Sequence, residues 1–246
     1  MRRRADFGTI SLNATLGLLA AACLMLLIMP TIVVIMVSFT SGFSLRFPPQ
    51  GYSLHWYAAL ADAWQLQFAA FNSFKVAAWT TLLSVMLGVA AALAIARSRR
   101  LSAAILDSIF MSPLILPGLA FGLAALIFFT LIGLEVSPLT LVIGHTVVCV
   151  PFVIRVTIAA LAQLDQALLE SSASLGASRW YTFRRVTLPL IGSSILAGAF
   201  LAFMSSFDNI PVSLFLRNAG TDMLPIRMWQ DLESLLDVKI AAVSGV

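Results

Sequence analysis

The sequence predicts an all-α polytopic membrane protein, and two observations carry that prediction. Hydrophobic residues make up 60% of the 246 and charged residues only 11%, where an ordinary soluble chain is roughly 25% charged. Mean hydropathy is +0.98. The apolar residues also fall into separate runs of the length a bilayer requires, about 20 residues for a helix, with arginines gathered at their ends. The net charge of +4 therefore speaks for membrane orientation and not for nucleic-acid binding. Cys23 and Cys149 both lie in apolar runs, which argues against a disulfide or a metal site.

The first span is expected over about 16–38, after a tail of 1–15 that carries Arg2, Arg3 and Arg4. A secretory signal is the rival reading, and Ala20 to Cys23 resembles a lipoprotein cleavage site. Apolar residues continue from Leu24 to Val37, however, too far for a signal core, so a membrane anchor is expected. Residues 39–68 read as loop, punctuated by Gly42, Pro48, Pro49 and Gly51. Trp56, Tyr57 and Trp64 suit an interfacial stretch.

Asn72 and Ser73 lead into a second span, about 76–96, which stops at Arg97, Arg99 and Arg100. A third is expected over 109–134. Pro113 and Pro117 fall in its first half and free backbone carbonyls, so this helix should be bent or interrupted. Gly118 and Gly122 form a small-xxx-small pair that permits close helix packing. A turn at Glu135 to Pro138 returns the chain into a fourth span, 139–161, containing His145, Pro151 and Arg155.

The stretch from Leu168 to Pro189 is the longest motif-bearing polar segment. Leu161, Leu164, Leu168, Ser172 and Leu175 recur at helical steps and predict a largely apolar face. Gly176 can take the left-handed conformation after a helix end, and Ser178 can cap the next turn. Two short helices joined at a glycine are expected, with Arg179, Arg184 and Arg185 making the second basic. Pro189 suits the first turn of the following helix. That fifth span is expected over 188–216, interrupted at Asp208 and Asn209. Residues 217–237 are polar and mixed. A sixth helix is expected to begin at 238–246, where eight or so residues reach only about 12 Å, short of a ~30 Å hydrocarbon core.

Lys and Arg counts orient the chain. Arg2, Arg3, Arg4, Arg97, Arg99, Arg100, Arg179, Arg184 and Arg185 fall on one side of the predicted topology. Arg46, Lys75, Arg217, Arg227 and Lys239 fall on the other. The first side is expected to be cytoplasmic, with the N-terminus and the 165–187 loop.

Candidate chemistry is sparse. There is no phosphate-binding Gly-x-x-x-x-Gly-Lys-[Ser/Thr] loop, no zinc-hydrolase spacing and no nucleophile turn. No catalytic residue, cofactor or metal is therefore expected. His145 reads as a hydrogen-bonded packing residue more readily than as a proton relay. Arg155 can snorkel to the interface or pair with a carboxylate. Asp208, with Ser205 and Asn209, is either a substrate-path carboxylate for a cationic solute or a satisfied helix end.

The loop also carries a specific pattern. Glu170-Ser171-Ser172, three residues, Gly176-Ala177, nine residues from Gly176 to Val186, then Leu188-Pro189 resembles the signature loop of permease subunits of binding-protein-dependent ABC importers. Serines replace two alanines of the family pattern and Val186 replaces an isoleucine. Asn72-Ser73, Ser112-Pro113, Pro151-Phe152, Ser206 to Asp208 and Leu224-Pro225 are similar to the second permease subunit of the polyamine branch. That resemblance implies a type I importer transmembrane-domain bundle with five full spanning helices and, here, a truncated sixth. It implies a multi-pass protein of a bacterial-type inner membrane, surrounded by lipid, with no ATP site of its own. It also implies three partners: an ATP-binding cassette subunit docked on the loop, a second permease subunit and an extracytoplasmic solute-binding protein. The expected cargo is a small organic cation such as spermidine or putrescine. Related branches carry thiamine, ferric iron or phosphonates. The competing reading, a self-sufficient ion-coupled transporter or channel, calls for several intramembrane carboxylates or an inverted repeat, and neither is evident.

Overall fold

A computed structural model describes residues 7–44, 46–98, 100–218, 220–235 and 239–245. Arg2, Arg3, Arg4 and Arg99, which entered the charge count, lie outside these residues. Among the described residues the regular structure is all helical, apart from one isolated bridge between Thr40 and Tyr52. The helices are α1 (Phe7–Ser38), α2 (His55–Asp62), α3 (Trp64–Arg97), α4 (Arg100–Ile115), α5 (Gly118–Leu131) and α6 (Pro138–Ala162). They continue as α7 (Gln166–Ser174), α8 (Arg179–Thr182), a π-helical turn (Phe183–Thr187), α9 (Leu188–Phe207), α10 (Ile210–Leu216), α11 (Leu224–Leu235) and α12 (Lys239–Ser244).

Four segments are long and apolar enough to cross a membrane: Leu12–Ser38, Trp64–Arg97, Pro138–Ala162 and Arg179–Phe207. A fifth is the pair α4 and α5, which meet at a 103° bend. The sequence anticipated this interruption, and Pro117 sits immediately before α5. The expected start of that span at 109 is corrected: α4 is helical from Arg100. The second span was expected to stop at the arginines, but Leu106 and Met111 pack into the core formed with Val150 and Ile154 of α6.

A second correction concerns 39–68 and the start of span two. The segment contains α2, and α3 begins at Trp64 rather than 76. Asn72 and Ser73 lie inside α3, both buried. Their polarity reflects tertiary partners and not a helix boundary. The Asn72 Nδ2 donates to the carbonyls of Gly220 and Asp222 at 3.4 and 3.3 Å.

The chain divides into two compact units, one comprising 1–67 with 228–246, the other 68–227. In the first, Trp56 of α2 packs with Ala242 of α12 and its indole donates to the Gly42 carbonyl. Tyr57 shares a 2.7 Å hydrogen bond with Ser38 at the end of α1. Most of α1 is exposed, from Leu12 to Ile32. It is apolar on all sides, as a lipid-facing helix must be.

The second unit is built around α6. Leu141, His145, Cys149, Val153, Ile154 and Thr157 are buried along its length. Small residues let the neighbours approach. A Cβ at Gly88 of α3 would lie 2.7 Å from Val153, and one at Gly144 of α6 would lie 2.6 Å from Leu216 of α10. At one end, Arg97, Leu161, Gln166 and Thr187 line a common pocket. At the other, Asn218 donates to the Val136 carbonyl just before α6 and Arg217 pairs with Asp222 at 2.9 Å.

Candidate functional site

Two features of the second unit hold the residues singled out in the sequence. The first is a knob formed by α7, α8 and the π turn. The Asp165 carboxylate caps α7 by accepting from Ala167 N at 2.9 Å. At the far end Gly176 has φ +78°. Gly176 N donates to the Ala173 carbonyl and Ala177 N to the Ser172 carbonyl. Those two bonds constitute a Schellman motif, which satisfies carbonyls that a helix end otherwise leaves open. Ser178 then caps α8, accepting from Tyr181 N at 3.2 Å. The Ser172 and Thr182 hydroxyls share a 2.8 Å bond that ties α7 to α8. The expected pair of helices joined at a glycine is what the chain forms.

Its second half does not stop before the next span. α8, the π turn and α9 run on continuously, and Leu188 N donates to the Phe183 carbonyl, five residues back. Pro189 lacks an N–H and its ring crowds the carbonyl four residues earlier. A local π turn is a recognised way to accommodate such a fault.

The largely apolar face expected from the periodicity of this region is left uncovered within the chain. α7 has no buried residue, Leu175 is 88% exposed and Trp180 67%. Leu168 and Tyr181 are exposed too, around an open concavity lined also by Ser171, Gly176 and Ala177. Glu170 and Ser171 are exposed, as are Leu188 and Pro189, while Ser172 and Ala177 are half-buried. An ordered knob with this much bare apolar surface is the form of a docking element.

The second feature is a groove of about 400 Å³ between two broken helices. Pro113, Leu116 and Gly118 from the α4–α5 bend line one side, and Ser205, Asp208 and Asn209 from the α9–α10 break line the other. Asp208 ends α9 and is exposed. Asn209 caps α10, its Oδ1 accepting from Val212 N at 3.0 Å. Thus Asn209 has a structural duty in addition to its place on the groove. Irregular backbone at membrane depth is tolerated where it lines a cavity or is buried in protein, and both breaks meet here.

Behind the groove, the His145 ring spans the break. Nδ1 lies 2.9 Å from Ser206 Oγ on α9 and Nε2 lies 3.0 Å from Ser213 Oγ on α10. The ring is fully buried and hydrogen-bonded, as the sequence led one to expect. Arg155 pairs with Asp107 of α4 at 3.3 Å, which resolves the choice between pairing and snorkelling. Sequence reasoning missed Asp107 as the partner, and missed Ser206 and Ser213. The one available signal was that two serines flank an interrupted span, and serine is too common in membrane helices for that to single them out.

Comparison with known proteins agrees with this architecture. Residues 84–245 match the family model of the binding-protein-dependent transport system inner membrane component. The chain is 26% identical over 221 residues to the spermidine/putrescine transport system permease protein PotC of Escherichia coli, covering 89% of this chain and 83% of the relative. It is 26% identical over 222 residues to the putrescine transport system permease protein PotI of the same organism, covering 87% and 79%. In fold it matches a crystal structure of a bacterial ABC transporter involved in the import of the acidic polysaccharide alginate. There the TM-score is 0.68 at 16% identity, over 100% of this chain and 92% of that one.

Proposed function

We propose that this chain, which belongs to the family of binding-protein-dependent transport system inner membrane components, carries a small organic cation of the polyamine class through an ATP-driven importer. The observation that supports this most directly is the knob. Glu170, Ser171, Ser172, Gly176 and Ala177 belong to a capped, apolar-faced projection, and Leu188 and Pro189 open the helix α9 that continues from it. Such a projection suits a cleft on a separate ATP-binding subunit, with Arg179, Arg184 and Arg185 available to acidic or carbonyl groups there. ATP is bound and hydrolysed by that partner. Closure of the ATPase pair would push the knob as a body, and continuity of α8 with α9 would pass the movement into the membrane.

In this reading the knob end faces the cytoplasm, together with the N-terminus, in keeping with the arginine distribution. A second permease subunit completes the path, and an extracytoplasmic binding protein delivers the solute. The groove with Asp208, Ser205 and Asn209 belongs to the path. A carboxylate on the groove attracts a cationic solute, and the names of the two Escherichia coli relatives support a polyamine.

The test is uptake in cells carrying the complete system. Glu170→Lys and Gly176→Pro should both abolish uptake and co-purification with the ATP-binding subunit while the chain still inserts. Normal uptake in both variants would overturn the coupling role of the knob.

A further inference from the structure

Spans that break in mid-membrane have two loose helix ends, and something must fix the angle between them. At the α9–α10 break the backbone provides little. Asn209 N reaches the Ser206 carbonyl at 3.3 Å and Ile210 N the Asp208 carbonyl at 3.0 Å, both short local turns. The remaining constraints come from neighbouring helices. Gly118 and Gly122 of α5 bring it against Pro211, where a Cβ at Gly122 would lie 2.8 Å from the Pro211 carbonyl oxygen. Gly144 of α6 brings that helix against Leu216 and Val212. These contacts hold α10, while α9 is held against α6 at a different place, where a Cβ at Gly198 would lie 3.3 Å from Val153 Cα and Ala202 packs with Cys149 and Val153; none of them links the two ends at the break.

His145 reaches both. One ring nitrogen meets Ser206, two residues before Asp208, and the other meets Ser213, four residues after Asn209. The imidazole is rigid and wholly buried, so it fixes the separation of the two hydroxyls. A neutral ring donates at one nitrogen and accepts at the other, and a serine hydroxyl can do either. The Ser206–His145–Ser213 bridge is thus satisfied in both tautomers. Serine on each side is the residue type that makes the bridge independent of which nitrogen carries the proton.

We propose that His145 is a positioning residue for transport: it sets the angle of the α9–α10 break and thereby the place of the Asp208 carboxylate on the groove. The inference rests on the reading of the groove as substrate path. It makes Ser206 and Ser213 partners in solute affinity, although neither lines the groove.

The test is putrescine and spermidine uptake by the complete importer in proteoliposomes, with KM and kcat per inserted subunit measured separately. Ser206→Ala and Ser213→Ala each release one end of the bridge. Each should raise KM about fivefold, the effect of one hydrogen bond, with kcat changed less than about twofold. Asp208→Asn should raise KM by itself, and Ser206→Ala added to it should change KM no further, because a carboxylate that is gone needs no positioning. His145→Ala removes both ends, and where it fails to insert the serine variants still decide. A rise in KM with Asp208→Asn but not with either serine variant overturns the positioning role alone. No change with Asp208→Asn overturns the substrate-path reading instead. A fall in kcat at constant KM in the serine variants also overturns the proposal, since it marks a merely structural role.

Discussion

The Ser73 hydroxyl of α3 accepts a 2.9 Å hydrogen bond from Leu224 N, the first amide of α11, across 151 positions of sequence. A helix begins with backbone N–H groups that have no partner inside the helix, and one of them is met here by a side chain from a different span. Asn72, the preceding residue, holds the loop that leads into α11 by donating to Gly220 and Asp222. Ser73→Ala should therefore destabilise the folded protein by about 1 kcal/mol, the usual cost of a lost cap. Asn72→Ala, which removes the amide donating to both carbonyls, should cost more, about 1–3 kcal/mol. Thermal unfolding in detergent measures both, and equal stability of the two variants would contradict this ordering.

Gly176 tests backbone conformation without steric interference. A Cβ there would meet nothing within 4 Å, while φ is +78°. Gly176→Ala should thus cost about 1–2 kcal/mol from the left-handed conformation alone, and Gly176→Asn should cost less, because Asn tolerates that region better. Protease sensitivity of the 165–187 segment reports the loosening.

Gly122 and Gly192 form a matched pair for the packing claim. Gly122→Ala would place a methyl group 2.8 Å from the Pro211 carbonyl oxygen and from the Phe215 ring, so α5 and α10 must separate, at about 1–3 kcal/mol. Gly192→Ala meets open space in the first turns of α9 and should be neutral or stabilising by up to about 1 kcal/mol. Comparing their unfolding temperatures separates steric contact from helix propensity.

Arg155 and Asp107 are a further coupled pair. Their side chains are 59% and 30% exposed, which limits the bridge to no more than about 1 kcal/mol. Asp107→Asn and Arg155→Gln should each lower stability slightly, and the double variant should cost less than the two single losses added together. Strict additivity in that cycle would remove the pair from the account of how α4 meets α6.

Local rules carried much of this molecule. The glycine-centred knob was legible because its caps are local: Asp165, Gly176 and Ser178 act on backbone groups within a few residues of themselves. The interruption near Pro117 was legible for the same reason, since proline removes its own donor wherever it stands. The span boundaries were less secure. Asn72 looked like a helix edge because a polar residue beside an apolar run has no visible partner in one dimension. The partners of Asn72 are carbonyls about 150 residues away, and that of Asp107 is Arg155, on another helix.

The sequence by itself determined that the chain is a bundle of membrane-spanning helices, where two of those helices break, and that a capped helical knob precedes α9. Hydropathy, proline and glycine act on the residues nearest to them, so these features survive without tertiary information. Only the tertiary structure decided that the two breaks face each other across one groove, that the apolar stripe of the knob stays uncovered, and that His145 bridges Ser206 and Ser213. Each of those depends on which helix faces are in contact, and a one-dimensional period leaves that choice open.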